Sequence, residues 1–133
     1  MTKFPISTDS RVCFKDITAE VNQHVRDSGV ENGICCIFVP HTTAAVTVNE
    51  RADPDVVRDV SASLNRLIPF DDDYRHLEGN SAAHVKSSVI GASEMLPVEN
   101  GRLVLGTWQA VFFCEFDGPR HRNVLLKIIP EKQ

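Results

Sequence analysis

The chain has 133 residues, 42% hydrophobic and 24% charged, so it can bury a core without metals or disulfides and is expected to form one domain over residues 1–133. A net charge of −4 with scattered basic residues argues against a nucleic-acid partner. No apolar run is long enough to span a membrane, no secretory signal follows Met1 and no CxxC pair occurs, so we predict a cytoplasmic protein with reduced thiols and no membrane partner.

The N-terminal segments predict two short strands and a helix. Residues 3–9 and 11–14 have strand-like patterns parted by a turn. Apolar residues then recur every four positions over residues 17–28, and Gly29 offers a natural stop. A helix is therefore expected between the second and third strands.

The next segment predicts two strands and the clearest helix. Residues 33–39 are apolar on both faces, which is typical of a central strand covered on both sides. A second strand is expected over residues 43–49. Asp53 can cap the following helix, Pro54 suits its first position, and Pro69 ends it.

The C-terminal half predicts a loop, a short helix and β structure. Residues 70–79 are polar and acidic, and Asn80 or Ser81 can cap a helix that runs to about residue 90. Strands are expected over residues 93–98, 102–105, 107–117 and 123–130. Strands in runs, broken by two or three helices, predict a compact α+β fold with a mostly antiparallel, sandwich-like sheet.

The strand over residues 108–117 carries the most informative pattern. One face is wholly apolar, whereas the other is apolar in the middle and polar towards Gln109 and Glu115. Polar tips that meet solvent explain this pattern. Alternatively, Gln109 or Glu115 points into a partly buried site, where a carboxylate can act as a base or a metal ligand.

A turn at Gly118-Pro119 follows, and beyond it Arg120 and Arg122 share a face if the chain is extended. Two guanidinium groups together suit phosphate or carboxylate binding. A pair of surface arginines without a ligand is the commoner arrangement.

His41 lies between two predicted strands, beside the hydroxyls of Thr42 and Thr43. This segment can be a simple turn, or His41 can be a general base or metal ligand while the hydroxyls hold an anion. Asn49 and Glu50 end the next strand, where they form turn contacts or line a cleft.

His76 and His84 flank the start of a predicted helix at Asn80. Each histidine alone is most simply a surface residue. Because backbone N–H groups at a helix start attract anions, the pair together predicts a phosphate site.

Several segments occur together in one order: Pro40-His41-Thr42-Thr43-Ala44, Asn49-Glu50, His76, Glu78-Gly79-Asn80, Ala83-His84, Gly101-Arg102-Leu103, Leu105-Gly106-Thr107-Trp108-Gln109 and Asp117-Gly118-Pro119-Arg120 with Arg122. In this combination the chain resembles the YjbQ family, whose members are described as secondary thiamine-phosphate synthase enzymes. The resemblance extends over nearly the whole chain.

The resemblance implies a compact α+β fold, homotrimers with polar clefts near subunit contacts, and named site residues. The implied catalytic residues are His41, Glu50, His76, His84 and Glu115. The implied substrate-binding residues are Thr42, Thr43, Asn49, Asn80, Gln109 and Arg120, and Arg122 is added because it shares a face with Arg120. The histidines themselves predict a metal site with His41, His76 and His84 as ligands.

In the implied reaction, a thiazole nitrogen displaces pyrophosphate from an aminopyrimidine methyl pyrophosphate, so an enzyme with a phosphorylated small-molecule substrate is expected. Magnesium would be held by Glu50 or Glu115, whereas the histidines suit zinc or nickel better. Two alternatives are a metal-assisted hydrolase of a phosphorylated small molecule and a non-catalytic protein that binds an anion or metabolite.

Overall fold

The computed structural model describes residues 1–132, so Gln133, the last residue of the predicted domain, lies outside the described residues. Within that part of the chain the elements follow in the order β1 (Thr2–Ser7), β2 (Cys13–Asp16), α1 (Thr18–Ser28), β3 (Gly33–Phe38), β4 (Ala44–Glu50), α2 (Pro54–Leu67), α3 (Ser81–Ile90), β5 (Ser93–Glu99), β6 (Arg102–Leu103), β7 (Gln109–Glu115) and β8 (His121–Pro130). The predicted α+β class is confirmed.

The strands form two sheets. The large sheet has the order β1-β8-β3-β5-β6, and the small sheet has the order β2-β7-β4. Each pair of neighbouring strands is antiparallel. The predicted antiparallel, sandwich-like arrangement is therefore correct.

The small sheet is the middle layer of the molecule, because both of its faces are buried. On β7, Val111 and Phe113 enter a first core that the large sheet and α1 complete. The alternate residues Phe112 and Cys114 enter a second core beneath α2 and α3. Alternate residues of this strand therefore belong to two separate cores, one on each face of the small sheet.

Local sequence signals determine the helix ends. Gly29 closes α1 in the left-handed conformation, with φ 73°. Asp53 caps α2, since its carboxylate accepts the Asp55 N–H at 2.9 Å. α3 starts after Asn80, but the Asn80 side chain makes no capping bond and is used elsewhere.

The expectation that β3 is covered on both faces is wrong. Cys35 and Ile37 point into the first core, whereas Ile34 is 42% exposed and Phe38 is 43% exposed. β3 lies between β8 and β5 in the large sheet, and only one face of that sheet packs on the core. An apolar run predicts that a strand is central in its sheet but does not identify what covers each face.

The pairing of β4 with β7 determines where the site residues lie. The register runs from Ala44 opposite Glu115 to Glu50 opposite Gln109. We call the first the buried end and the second the open end of the small sheet. They are about 20 Å apart, given the rise of about 3.4 Å per residue in antiparallel strands.

Among residues 1–132, no helix is both long and apolar enough to cross a bilayer. All four cysteines are free thiols.

Candidate functional site

A buried ion pair anchors the buried end of the small sheet. Glu115 is 0% exposed and Arg122 on β8 is 6% exposed. The Glu115 carboxylate accepts hydrogen bonds from the Arg122 guanidinium, from Thr8 Oγ1 at 2.7 Å and from the Asp117 N–H at 3.0 Å. Burial pushes the pKa of Glu115 upwards, but these hydrogen bonds and the Arg122 charge outweigh it, so its pKa lies below the ordinary value.

The Arg122 guanidinium uses its donors within the protein, first of all for Glu115. Its Nη2 also donates to Thr43 Oγ1 at 2.9 Å. Arg120, in contrast, is exposed and pairs with Asp117 at 3.1 Å. The predicted two-cation face is therefore absent, because each arginine has its own acidic partner and Arg122 is committed to the interior.

His41 lies in the connection between β3 and β4, beside this ion pair. Its Nε2 accepts the Asn123 backbone N–H at 2.9 Å, which assigns the proton of the neutral ring to Nδ1. Burial and then the positive charge of Arg122 lower the pKa of His41. His41 is therefore a neutral imidazole with one N–H donor at neutral pH.

Asn80 joins the two remaining predicted histidines to an acidic group. Its carbonyl oxygen accepts from His76 Nε2 at 3.0 Å, and its amide nitrogen donates to Asp117 at 2.9 Å. The His76 and His84 rings meet edge to face, with centroids 5.3 Å apart. Burial by itself raises the pKa of Asp117. The hydrogen bonds that its carboxylate accepts from Asn80 and Arg120 lower the pKa by more, so it lies below the ordinary value and Asp117 stays ionised.

The loop that carries His76 is held by Phe70. The Arg11 guanidinium lies 3.7 Å from the Phe70 ring centroid, and the buried Lys86 ammonium lies 3.8 Å from it. Burial and the Arg11 charge lower the pKa of Lys86. The Tyr74 hydroxyl also donates to a carbonyl of the same loop.

His41 and His84 line one cavity of about 320 Å³. Thr42, Ser87 and Ser88 lie on its walls. The Ser87 hydroxyl is buried and has no hydrogen-bond partner within residues 1–132. The Ser87 oxygen is closed off from solvent, so this hydroxyl is not assigned to a guest in the cavity.

The remaining predicted residues lie at the open end. Asn49 accepts the Glu50 N–H at 2.8 Å, and Gln109 accepts the Gly106 N–H at 2.8 Å. Glu50 and Gln109 are opposite each other in the register. The predicted ring of polar residues therefore splits into two groups about 20 Å apart within one chain.

The histidines and Glu115 do not fit a metal ion as they are arranged. Nε2 of His41 is occupied as an acceptor and its Nδ1 carries the proton, so no lone pair is free. Glu115 uses both carboxylate oxygens within the protein. Over the described 132 residues, no three His, Cys, Asp or Glu side chains form a metal-binding group.

Several contributors were not among the predicted site residues. Thr8 and Asp117 complete the buried network, and the Asn123 N–H orients His41. Among the residues that the prediction missed, Ser87 could have been found from the sequence. It stands three positions after His84, so the two share one face of the helix.

Comparison with known proteins gives a consistent result. The family model described as "UPF0047 protein YjbQ-like" matches residues 2–131. The UPF0047 protein YugU of Bacillus subtilis is 49% identical over 93% of this chain and 95% of its own. A UPF0047 protein of Methanocaldococcus jannaschii is 48% identical over 98% of this chain and 94% of its own.

Solved structures agree. An uncharacterised conserved protein from Clostridium acetobutylicum superimposes with a TM-score of 0.95 at 49% identity, covering 97% of this chain and 100% of that one. A protein of unknown function from Sulfolobus solfataricus has a TM-score of 0.93 at 36% identity, covering 98% of this chain and 96% of that one.

Proposed function

The chain belongs to the UPF0047 YjbQ-like family, and from the geometry at the buried end of its small sheet we propose that it is an enzyme with thiamine-phosphate synthase-like activity on phosphorylated small molecules. The observation that carries this proposal is the cavity of about 320 Å³ shared by His41 and His84.

The proposed reaction makes one bond and breaks one. The nitrogen of a thiazole phosphate attacks the methylene carbon of an aminopyrimidine methyl pyrophosphate, and a C–N bond forms. The C–O bond breaks, and its electron pair leaves with pyrophosphate. Because no proton moves in this step, the protein's task is to orient the two partners and stabilise the leaving charge.

The residues around the cavity suit that task. His41 offers an N–H donor that stays fixed, since its other nitrogen is engaged by the Asn123 N–H. His84 lines the same cavity, and its ring contacts that of His76. The N-terminus of α3 and the Arg120 guanidinium, which pairs with Asp117, are not among the cavity walls, so they are not assigned to the leaving group.

Glu115 and Arg122 act as positioning residues in this proposal. Their ion pair joins the small sheet to β8, and Asn123 follows Arg122 directly. The backbone N–H that orients His41 is thereby held in place. Thr43 strengthens the same connection by accepting from Arg122.

We further propose a homotrimer in the cytoplasm, in which the open end of one subunit meets the buried end of another. Asn49, Glu50 and Gln109 then complete the site across an interface, which the distance of about 20 Å prevents within one chain. The exposed apolar residues of the large sheet, including Phe38 and Met95, supply surface suited to association.

Magnesium stays in the proposal as a requirement to be tested, because a divalent ion stabilises a departing pyrophosphate. No step is assigned to it, since the histidines and Glu115 do not fit a metal as arranged. The open lone pairs that a metal-assisted hydrolase needs are likewise missing at His41.

The test incubates the purified protein with both substrates, with and without magnesium, and quantifies thiamine phosphate. His84→Ala should lower the rate at least about 100-fold, in the range typical of a lost catalytic donor. His24→Ala is the matched control, because His24 stacks on Phe4 away from the cavity and should retain the wild-type rate. Absence of product with the wild-type protein would contradict the proposal.

A second candidate is non-catalytic binding of an anion, because His41 with its N–H donor and His84 line one cavity whether or not a reaction takes place there. In that case pyrophosphate should raise the melting temperature in a concentration-dependent way, and no product should form. His84→Ala should then weaken the thermal shift, whereas His24→Ala should not.

A further inference from the structure

A second cavity lies between α2 and the small sheet, away from the cavity of His41 and His84. Its volume is about 110 Å³, several times the roughly 30 Å³ that a water molecule occupies in the liquid. Phe14 and Phe112 supply aromatic walls, and Val57 and Val60 supply the wall on α2. It shares no lining residue with the cavity of His41 and His84.

The cavity persists although α2 has a well-formed apolar stripe. Leu64 is the buried residue of this helix, whereas Val56, Val57 and Val60 are only half-buried. Protein interiors are usually close-packed, and an unfilled apolar void lowers stability. A stripe that faces a void, rather than the sheet directly, is the arrangement expected where a guest completes the packing.

The walls define the chemistry of that guest. No charged side chain lines the cavity, so a charged ligand would lose its hydration without gaining a partner. The two phenylalanine rings favour a flat ring, and because benzene is known to occupy a cavity of about 150 Å³, the smaller volume here sets a single ring as the upper limit. The guest is therefore uncharged and no larger than a single ring.

Asn49 gives the cavity a polar end. Its carbonyl oxygen accepts the Glu50 N–H, while its amide nitrogen has no partner among residues 1–132. We propose that this cavity binds a small uncharged ring compound that carries a hydrogen-bond acceptor, with the Asn49 amide as the donor. Because Asn49 also belongs to the interface site proposed above, binding in this cavity is measured by NMR, separately from thiamine phosphate formation.

The test uses 2-pyridone, an uncharged ring with a carbonyl acceptor, titrated into the full chain and followed by amide NMR. Saturable shifts are expected at α2, β2 and the middle of β7. Benzoate, a charged ring, should produce no saturable shifts. Absence of saturation by 2-pyridone up to millimolar concentration, or equal binding of benzoate, would overturn the proposal.

Two variants locate the binding. Val57→Phe fills the cavity and should weaken 2-pyridone binding at least about tenfold, because the phenyl group takes the ligand's volume. Asn49→Ala should weaken 2-pyridone binding but leave benzene binding unchanged. Because Asn49 is exposed, this variant should fold even where Val57→Phe does not, and equal loss of both ligands would overturn the assigned role of Asn49.

Discussion

The two ends of the small sheet each carry a glutamate, yet they differ in what surrounds it. At the buried end Glu115 meets Arg122 from the large sheet and Thr8, the residue after β1, and is closed off from water. At the open end Glu50 lies opposite Gln109 and makes no side-chain hydrogen bond within the described residues. The difference shows that the covering sheet, rather than the residue type, determines whether a carboxylate serves architecture or stays available.

The largest effect on stability is expected when the ion pair at the buried end is broken. Arg122→Met leaves Glu115 buried without its counter-charge and should lower the free energy of unfolding by about 3–5 kcal/mol. Arg120→Met is the matched control, since its exposed pair with Asp117 should contribute no more than about 1 kcal/mol. Urea denaturation measures both, and equal losses would contradict the contrast between them.

The second effect concerns the amide that joins His76 to Asp117. Asn80→Ala removes a hydrogen bond to a carboxylate and should cost about 1–3 kcal/mol. It should also lower the rate of thiamine phosphate formation, because His76 loses its support. Asn49→Ala removes only a local contact at the open end and should change stability by less than about 0.5 kcal/mol.

The third effect is a pH dependence confined to the buried end. The pKa of His41 is lowered in the fold, so its contribution is fully present above the unfolded pKa of about 6.5. Below that value the unfolded chain binds the proton first, and stability falls as the pH drops towards the folded pKa. His41→Gln should reduce the loss of stability measured between pH 7.5 and pH 5.5.

The acidic side chains of the buried end extend this dependence to lower pH. Glu115 and Asp117 also have lowered pKa values, so they should cause a second loss of stability below about pH 4, where the unfolded carboxylates bind protons first. A stability that stays flat from pH 7.5 to pH 3 would contradict both assignments.

The smallest effect on stability is expected at the open end of the small sheet. Glu50→Gln removes a charge that has no partner in the described chain, so stability should change by less than about 0.5 kcal/mol. If Glu50 completes a site on a neighbouring subunit, the rate of thiamine phosphate formation should nevertheless fall. A loss of stability comparable to that of Arg122→Met would show that the open end is also architectural.

Much of the fold follows from local pattern. The alternation along β7 predicts the strand and its apolar face, and Gly29 and Asp53 determine helix ends by chemistry within a few residues. These signals are readable because they depend on neighbours in sequence. What covers the outer face of β3 depends on elements far along the chain, and there the expectation was wrong.

The site divides in the same way. That His76, Asn80 and His84 lie together follows from their closeness in sequence. The partnership of Glu115 with Arg122 does not, because it requires β8 to leave the sheet of β7 and pair in the other sheet. Likewise, the separation of Asn49 from His41 follows from strand register, which sequence motifs do not encode.

The two adjacent thiols on β3 differ in their accessibility to alkylating reagents. Cys35 points into the first core, where burial and the neighbouring thiol raise its pKa to about 11, so it should resist alkylation. Cys36 points to the outer face beside Met95 and Lys127 and is half-buried. Iodoacetamide should therefore label Cys36 in a single chain, and labelling should be lost where another subunit covers that face. Cys36 then reports on assembly, whereas Cys35 should remain unlabelled in both states.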